Sequence, residues 1–187
     1  MDLPLDRRTG LPDALRVLLR DHPREGWEAD PRFAGLAAFW MERHLAFRDL
    51  LAALGADAAR AAAKDLDPRA WGARLSRLGS HLLQDLHGHH RIEDDHYFPL
   101  LASREPRLRA GFDLLDADHQ ALDRHLAAFA DRADAALRLI RDPAADAAGE
   151  AGRLTERLDA LARFLDRHLT DEEDLVVPVI LRHGGAL

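Results

Sequence analysis

Six residues of this 187-residue chain have the types and spacing needed to hold metal ions. Two motifs of the form His-x-x-x-Glu, at His89 and Glu93 and at His168 and Glu172, set an imidazole and a carboxylate four residues apart. Residues so spaced are neighbours on a helix surface. Two further histidines, His44 and His119, stand without a glutamate one turn on. Nitrogen and carboxylate donors without sulfur suit iron, manganese or zinc. Burying such groups unpaired costs several kcal/mol per ion, and a cation removes that difficulty. If both carboxylates bridge two metals, each metal receives two histidines and two oxygens. A bridging oxo or hydroxo group then makes five ligands, and one octahedral position on each metal stays open for a small molecule.

The elements that must bring these six together are helical. Leu, Ala, Arg, Asp and Glu dominate, aromatics are 6%, and no alternating strand pattern or hairpin signal is present. Asp30-Pro31, Asp67-Pro68 and Asp142-Pro143 each pair a capping residue with proline at a first helical position, and Glu105-Pro106 makes a fourth break. These points open four long segments. Ahead of them Leu11, Leu15, Leu18 and Leu19 mark a short amphipathic piece over residues 11–21. Gly55 is a candidate kink in the first long helix, and the alanine-rich stretch after it should stay helical.

The apolar stripes repeat. Phe33, Ala37, Trp40, His44, Phe47, Leu51 and Leu54 align with Leu108, Phe112, Leu115, His119, Leu122, Leu126 and Phe129 at an offset of about 75 residues. Leu75, Leu82, Leu86, His89, Glu93 and Tyr97 align with Leu154, Leu161, Leu165, His168, Glu172 and Val176 at about 79, and Pro99 falls on Pro178. The chain is one helical hairpin written twice. Each stripe carries a histidine where an apolar residue is expected. The midpoint of His44 and His89 falls beside Asp67-Pro68, and that of His119 and His168 beside Asp142-Pro143. An up-down-up-down four-helix bundle therefore brings all four histidines and both glutamates to one level of its core.

Composition narrows the alternatives. Without cysteine there are no disulfides, zinc ribbons, cysteine-ligated clusters or thiol catalysis. A net charge of -7 argues against a nucleic-acid partner. No apolar run approaches the ~20 residues of a membrane span, and the start lacks the order of a signal peptide, so a cytoplasmic protein is expected. A ferritin-like di-iron pattern needs Glu-x-x-His on two helices; Glu93-x-x-His96 fits once, and Leu175 stands where the second needs histidine. His81, His87, His90 and Asp94 lie off the stripe and are expected to be solvated or interhelical. His96, Tyr97, Asp123 and His125 are candidates for a role beside the site, and His22 and His183 for the surface.

The sequence resembles the hemerythrin-like, HHE cation-binding family. The resemblance rests on His44, on His89-His90-Arg91-Ile92-Glu93 with Phe98-Pro99, on Asp118-His119, and on His168-Leu169-Thr170-Asp171-Glu172-Glu173 with Val177-Pro178. It covers roughly residues 31 to 182. It implies an all-α bundle, here over residues 31–187; residues 1–30 are read, from the breakers and the leucine spacing, as an extension carrying one short helix. It further implies two iron ions in an oxo- or hydroxo-bridged centre, held by His44, His89, Glu93, His119, His168 and Glu172, and a diatomic or peroxide ligand. Oxygen-carrying relatives have a further histidine where this chain has Asp123, and place the last carboxylate at the position of Glu173. Glu172 is preferred because it lies on the stripe and matches Glu93. The competing functions are a dinuclear zinc or manganese hydrolase and a metal-free interaction module.

Overall fold

The computed structural model describes residues 4–140 and 146–184. The fold is all-α, with no strand among the described residues. Among the described residues six α-helices follow in order: α1 (Val17–Asp21), α2 (Leu36–Ala62), α3 (Pro68–Ile92), α4 (Phe98–Arg104), α5 (Arg109–Leu139) and α6 (Ala147–His183). No helix among the described residues is long and apolar enough to cross a membrane.

The breakers act much as their chemistry dictates. Asp67 Oδ1 accepts the Ala70 N–H at 2.9 Å and caps α3. At Asp30-Pro31 the expected helix start gives way to a turn: Asp30 accepts the Arg32 N–H, Gly35 takes a left-handed φ of +91°, and α2 begins at Leu36. Only glycine takes that φ without strain, so the chain turns there before it winds. α2 then runs unbroken through Gly55 to Ala62. Pro106 opens a 3-10 turn ahead of α5. Asp142-Pro143 lies outside the described residues; α6 is capped by Asp146, which accepts the Gly149 N–H. The amphipathic N-terminal piece divides into a 3-10 turn at Asp13–Leu15 and the single turn and a half of α1.

One local feature departs from the simple helical reading. Glu93–Tyr97 forms a π turn between α3 and α4. Pro99 follows at the second position of α4 and has no N–H to continue the ladder. A wider turn just ahead accommodates that loss, and such π turns occur often at functional sites.

The chain divides into two compact units. The first gathers the described residues within Met1–Leu45, His89–Ala121 and Leu165–Leu187. Its apolar core includes Leu15, Leu18, Trp27, Trp40, Phe98, Phe112, Leu115, Val176 and Ile180. Residues 171–181 of α6 are buried without a break, so that length of helix is enclosed on every side. The second unit gathers Ala46–Gly88 and Leu122–Phe164 among the described residues. Its core is apolar: Phe47, Leu51 and Leu54 from α2, Trp71, Leu75, Leu82 and Leu86 from α3, Leu122, Leu126 and Phe129 from α5, and Leu154, Leu158 and Leu161 from α6. These residues follow the three-and-four spacing of the stripes, and each fully buried leucine or phenylalanine contributes roughly 1.5–3 kcal/mol. A Cβ at Gly79 would stand 3.4 Å from Phe129, so glycine there lets the ring lie close against the helix.

Candidate metal centre

All six stripe residues meet inside the first unit. His44, Glu93, His119, His168 and Glu172 are buried and His89 nearly so. Glu93 directs Oε1 at His89 Nε2, 2.9 Å away, and Oε2 at His119 Nε2, 3.6 Å away. Glu172 directs Oε1 at His44 Nε2 and Oε2 at His168 Nε2, each 3.2 Å away. His119 and His168 face each other through Nε2 atoms 3.1 Å apart.

A seventh group joins them. The His90 ring is buried, stacks on His119 at 4.0 Å, and has no hydrogen-bond partner for either nitrogen among the described residues. Two sets of donor atoms each lie within 4.8 Å of one another: His44, His89, Glu93 and Glu172, and His90, His119 and His168.

Outer carboxylates hold the far sides of the rings. His44 Nδ1 donates to Glu173 Oε1 at 3.0 Å, and His119 Nδ1 to Asp94 Oδ1 at 2.8 Å. His168 Nδ1 lies 3.5 Å from Asp118 Oδ2. A proton held on Nδ1 leaves Nε2 with its lone pair directed inward, the arrangement by which proteins orient metal-ligating imidazoles. Trp40 closes the Glu172 side by donating its Nε1–H to Oε1.

The electrostatics are those of a site built around positive charge. Burial and the neighbouring Glu172 push Glu93 well above the usual carboxylate range. Burial acts on Glu172 too, but His44, His168 and His89 outweigh it and hold that carboxyl well below the range. Burial opposes protonation of His168, yet Asp118 and Glu172 raise it to about 9. Against the same opposition, Glu172 and Glu173 raise His44. His89 falls to about 3 and His90 well below its ordinary value, chiefly through burial, with adjacent imidazoles adding to the effect. Both Glu93 oxygens, Glu172 Oε2 and His44 Nε2 have no hydrogen-bond partner among the described residues. Orphaned buried acceptors aimed at one another are what a cation would satisfy. The donor set fits a metal.

The family model described as Hemerythrin HHE cation binding domain matches residues 36–180. The chain belongs to the hemerythrin HHE cation-binding family. Comparison with curated proteins and with solved structures gave no match. The family's description supports cation binding by this chain. The hemerythrin domain so defined begins at the first residue of α2, and everything before it lies outside the match.

Within this hemerythrin domain the remaining candidates separate cleanly. Glu172 faces the cluster, whereas Glu173 stands behind His44. Tyr97 packs edge-on against Trp40 at 5.0 Å, and His96 is exposed. His125 and Asp123 belong to the second unit, where His125 lies against Phe164 and Asp123 is 3.5 Å from the exposed His87. His81 is likewise exposed, beside Asp85.

Of the two alternatives expected for His90 and Asp94, both take the interhelical one: His90 is buried beside the cluster and Asp94 holds His119. The signal for His90 was present in the spacing. Position 90 lies four after Leu86 and three before Glu93, so an apolar face as wide as a helix normally buries admits both 89 and 90. Asp118 and Asp171 entered the sequence reading only as part of the resemblance and were given no role, since each lies next to a stripe position.

Proposed function

We propose that this chain is a non-heme di-iron protein, with two iron ions joined by an oxo or hydroxo group and held by His44, His89, Glu93, His119, His168 and Glu172. His90 is a further donor. The observation that carries this reading is the orientation of the two carboxylates. Each has one oxygen turned to the His44 and His89 pair and the other to the His119 and His168 pair. Two cations bridged by two carboxylates require that sharing.

The donor count favours iron over zinc. The His119 side gathers three imidazoles and one oxygen from each glutamate, too many for the tetrahedral preference of zinc. When bound, the irons supply redox chemistry and an open position for dioxygen, nitric oxide or peroxide. The His44 and His89 side has one protein donor fewer and would offer the room for such a ligand. The residues around it do the rest. Glu173 and Asp94 keep the protons of His44 and His119 on the outer nitrogens, Asp118 stands 3.5 Å from that of His168, and Trp40 and Tyr97 present an aromatic wall beside His44 and His89. Binding, sensing and peroxide turnover all remain within this chemistry.

Metal analysis and a visible spectrum of untagged protein, before and after exposure to air, test the reading. Two irons per chain, with near-ultraviolet and visible bands of a bridged pair, are expected. A colourless protein that stays empty after anaerobic addition of ferrous iron overturns it. A colourless protein that instead retains zinc or manganese favours the hydrolase.

A further inference from the structure

Two arginines from the segment ahead of the family domain reach the outer carboxylates of the centre. Arg8 is buried; its Nη2 and Nη1 donate to the two oxygens of Asp118, the second at 3.3 Å, and its Nε donates to Asp171 Oδ2 at 2.8 Å. Asp118 in turn faces His168 Nδ1. Arg24 donates Nη1 to Glu173 Oε2 at 3.0 Å, Nε to Asp174 Oδ1 at 2.6 Å and Nη2 to the Thr170 carbonyl at 3.0 Å. Glu173 in turn accepts from His44 Nδ1 through its other oxygen. The guanidinium of Arg24 is itself seated 4.8 Å over the ring of Trp27, which is buried in the core of the same unit.

The two chains of contact have the same form: an arginine, a carboxylate, the outer nitrogen of a histidine, and an inner nitrogen facing the cluster. One ends on each side of the centre, at His168 and at His44. We infer that the N-terminal segment is a working part of the metal centre, in which Arg8 and Arg24 are positioning residues that fix Asp118 and Glu173 and so set the orientation of His168 and His44. The inference rests on the proposed di-iron reading.

The physical case is threefold. A guanidinium fork fixes the plane of a carboxylate as no single-point donor can. Asp118 and Asp171 are almost fully buried, and Arg8 with Arg167, which donates to Asp171 Oδ1 at 2.6 Å, balances their charge. Loss of Arg8 leaves Asp118 free to turn away from His168. Finally, the segment supplies the cover over the outer side of α6, where Thr170, Asp171, Glu173 and Asp174 all bind its arginines.

The test uses the full chain as wild type and as R8M, R24M and R32M, loaded anaerobically with iron-57(II). Arg32 lies in the same segment but, among the described residues, pairs with Asp30 at the surface, so it serves as control. Iron retention against a competing chelator and the Mössbauer spectrum are recorded. R32M should match wild type. R24M and R8M should each hold iron roughly 10- to 100-fold more weakly, the usual loss for an outer-shell partner. Each should shift a different one of the two iron signals, and R8K, which keeps the charge without the fork, should restore retention only in part. Iron retention and spectra equal to those of R32M in both variants, even with a lowered melting temperature, overturn the inference and leave the di-iron reading intact. If R8M does not fold, R24M decides alone, since its side chain is 37% exposed and tolerates replacement. Wild-type protein that takes up no iron overturns both readings.

Discussion

The two compact units are built from the same helical repeat, yet they bury opposite things. Of the fourteen buried ionisable residues among those described, twelve belong to the first unit and two, Asp57 and Glu150, to the second. Those two are each matched at the margin, Asp57 by Arg74 at 2.5 Å and Glu150 by Arg132 at 3.0 Å. The second unit is thus held by apolar packing. The first encloses imidazoles and carboxylates whose burial is costly unless something positive joins them. The difference shows how one hairpin pattern serves two ends: the stripe positions of one unit are spent on stability, those of the other on chemistry.

That contrast can be broken or sharpened in graded steps. The largest effect on metal should come from E172A, which removes one oxygen from each side of the cluster; iron per chain should fall to near zero by elemental analysis, while H183A keeps the wild-type content. The largest effect on stability should come from the other unit. L158A should cost about 2–5 kcal/mol in urea denaturation of the metal-free protein and leave iron content unchanged. Loss of metal in L158A would show that the two cores are not separable in function.

Next comes H90A, for which one of two ions should dissociate roughly 10- to 100-fold more readily in a chelator competition. A smaller effect is set by protons. In the metal-free protein His168 is raised to about 9, so it carries a proton at neutral pH that a metal must displace. Affinity should therefore rise with pH, by about tenfold per unit for each proton released, and level off above pH 9. Isothermal titration in buffers of different ionisation enthalpy measures the release directly. The smallest effect belongs to H87A, at an exposed pair with Asp123, which should change stability by less than about 0.5 kcal/mol and leave the metal untouched.

Much of this was legible in the residues. Two His-x-x-x-Glu motifs and two lone histidines on repeated stripes were enough to give the bundle and the six-residue cluster, because helical periodicity ties spacing to facing direction. What the stripe could not resolve was its own width. His90 and Asp94 sit one residue off the chosen line and still turn inward, and the π turn after Ile92 changes the angular step just where Asp94 leaves the helix. Arg8 and Arg24 were illegible for a different reason. They stand in short turns with no periodic pattern, and their partners are about 110 to 163 residues away, a separation that no local rule spans.

The placement of Trp40 has one more consequence. The chain has three indoles, Trp27, Trp40 and Trp71, and they occupy three different surroundings. Trp71 lies in the apolar core of the second unit and Trp27 under Arg24, whereas the Trp40 ring stands 6.4 Å from that of His44 and 6.2 Å from that of His89 and donates to Glu172. A paramagnetic ion in the cluster would quench the emission of that indole. The protein thereby contains its own optical gauge of occupancy, and filling of the centre can be followed in real time without a label.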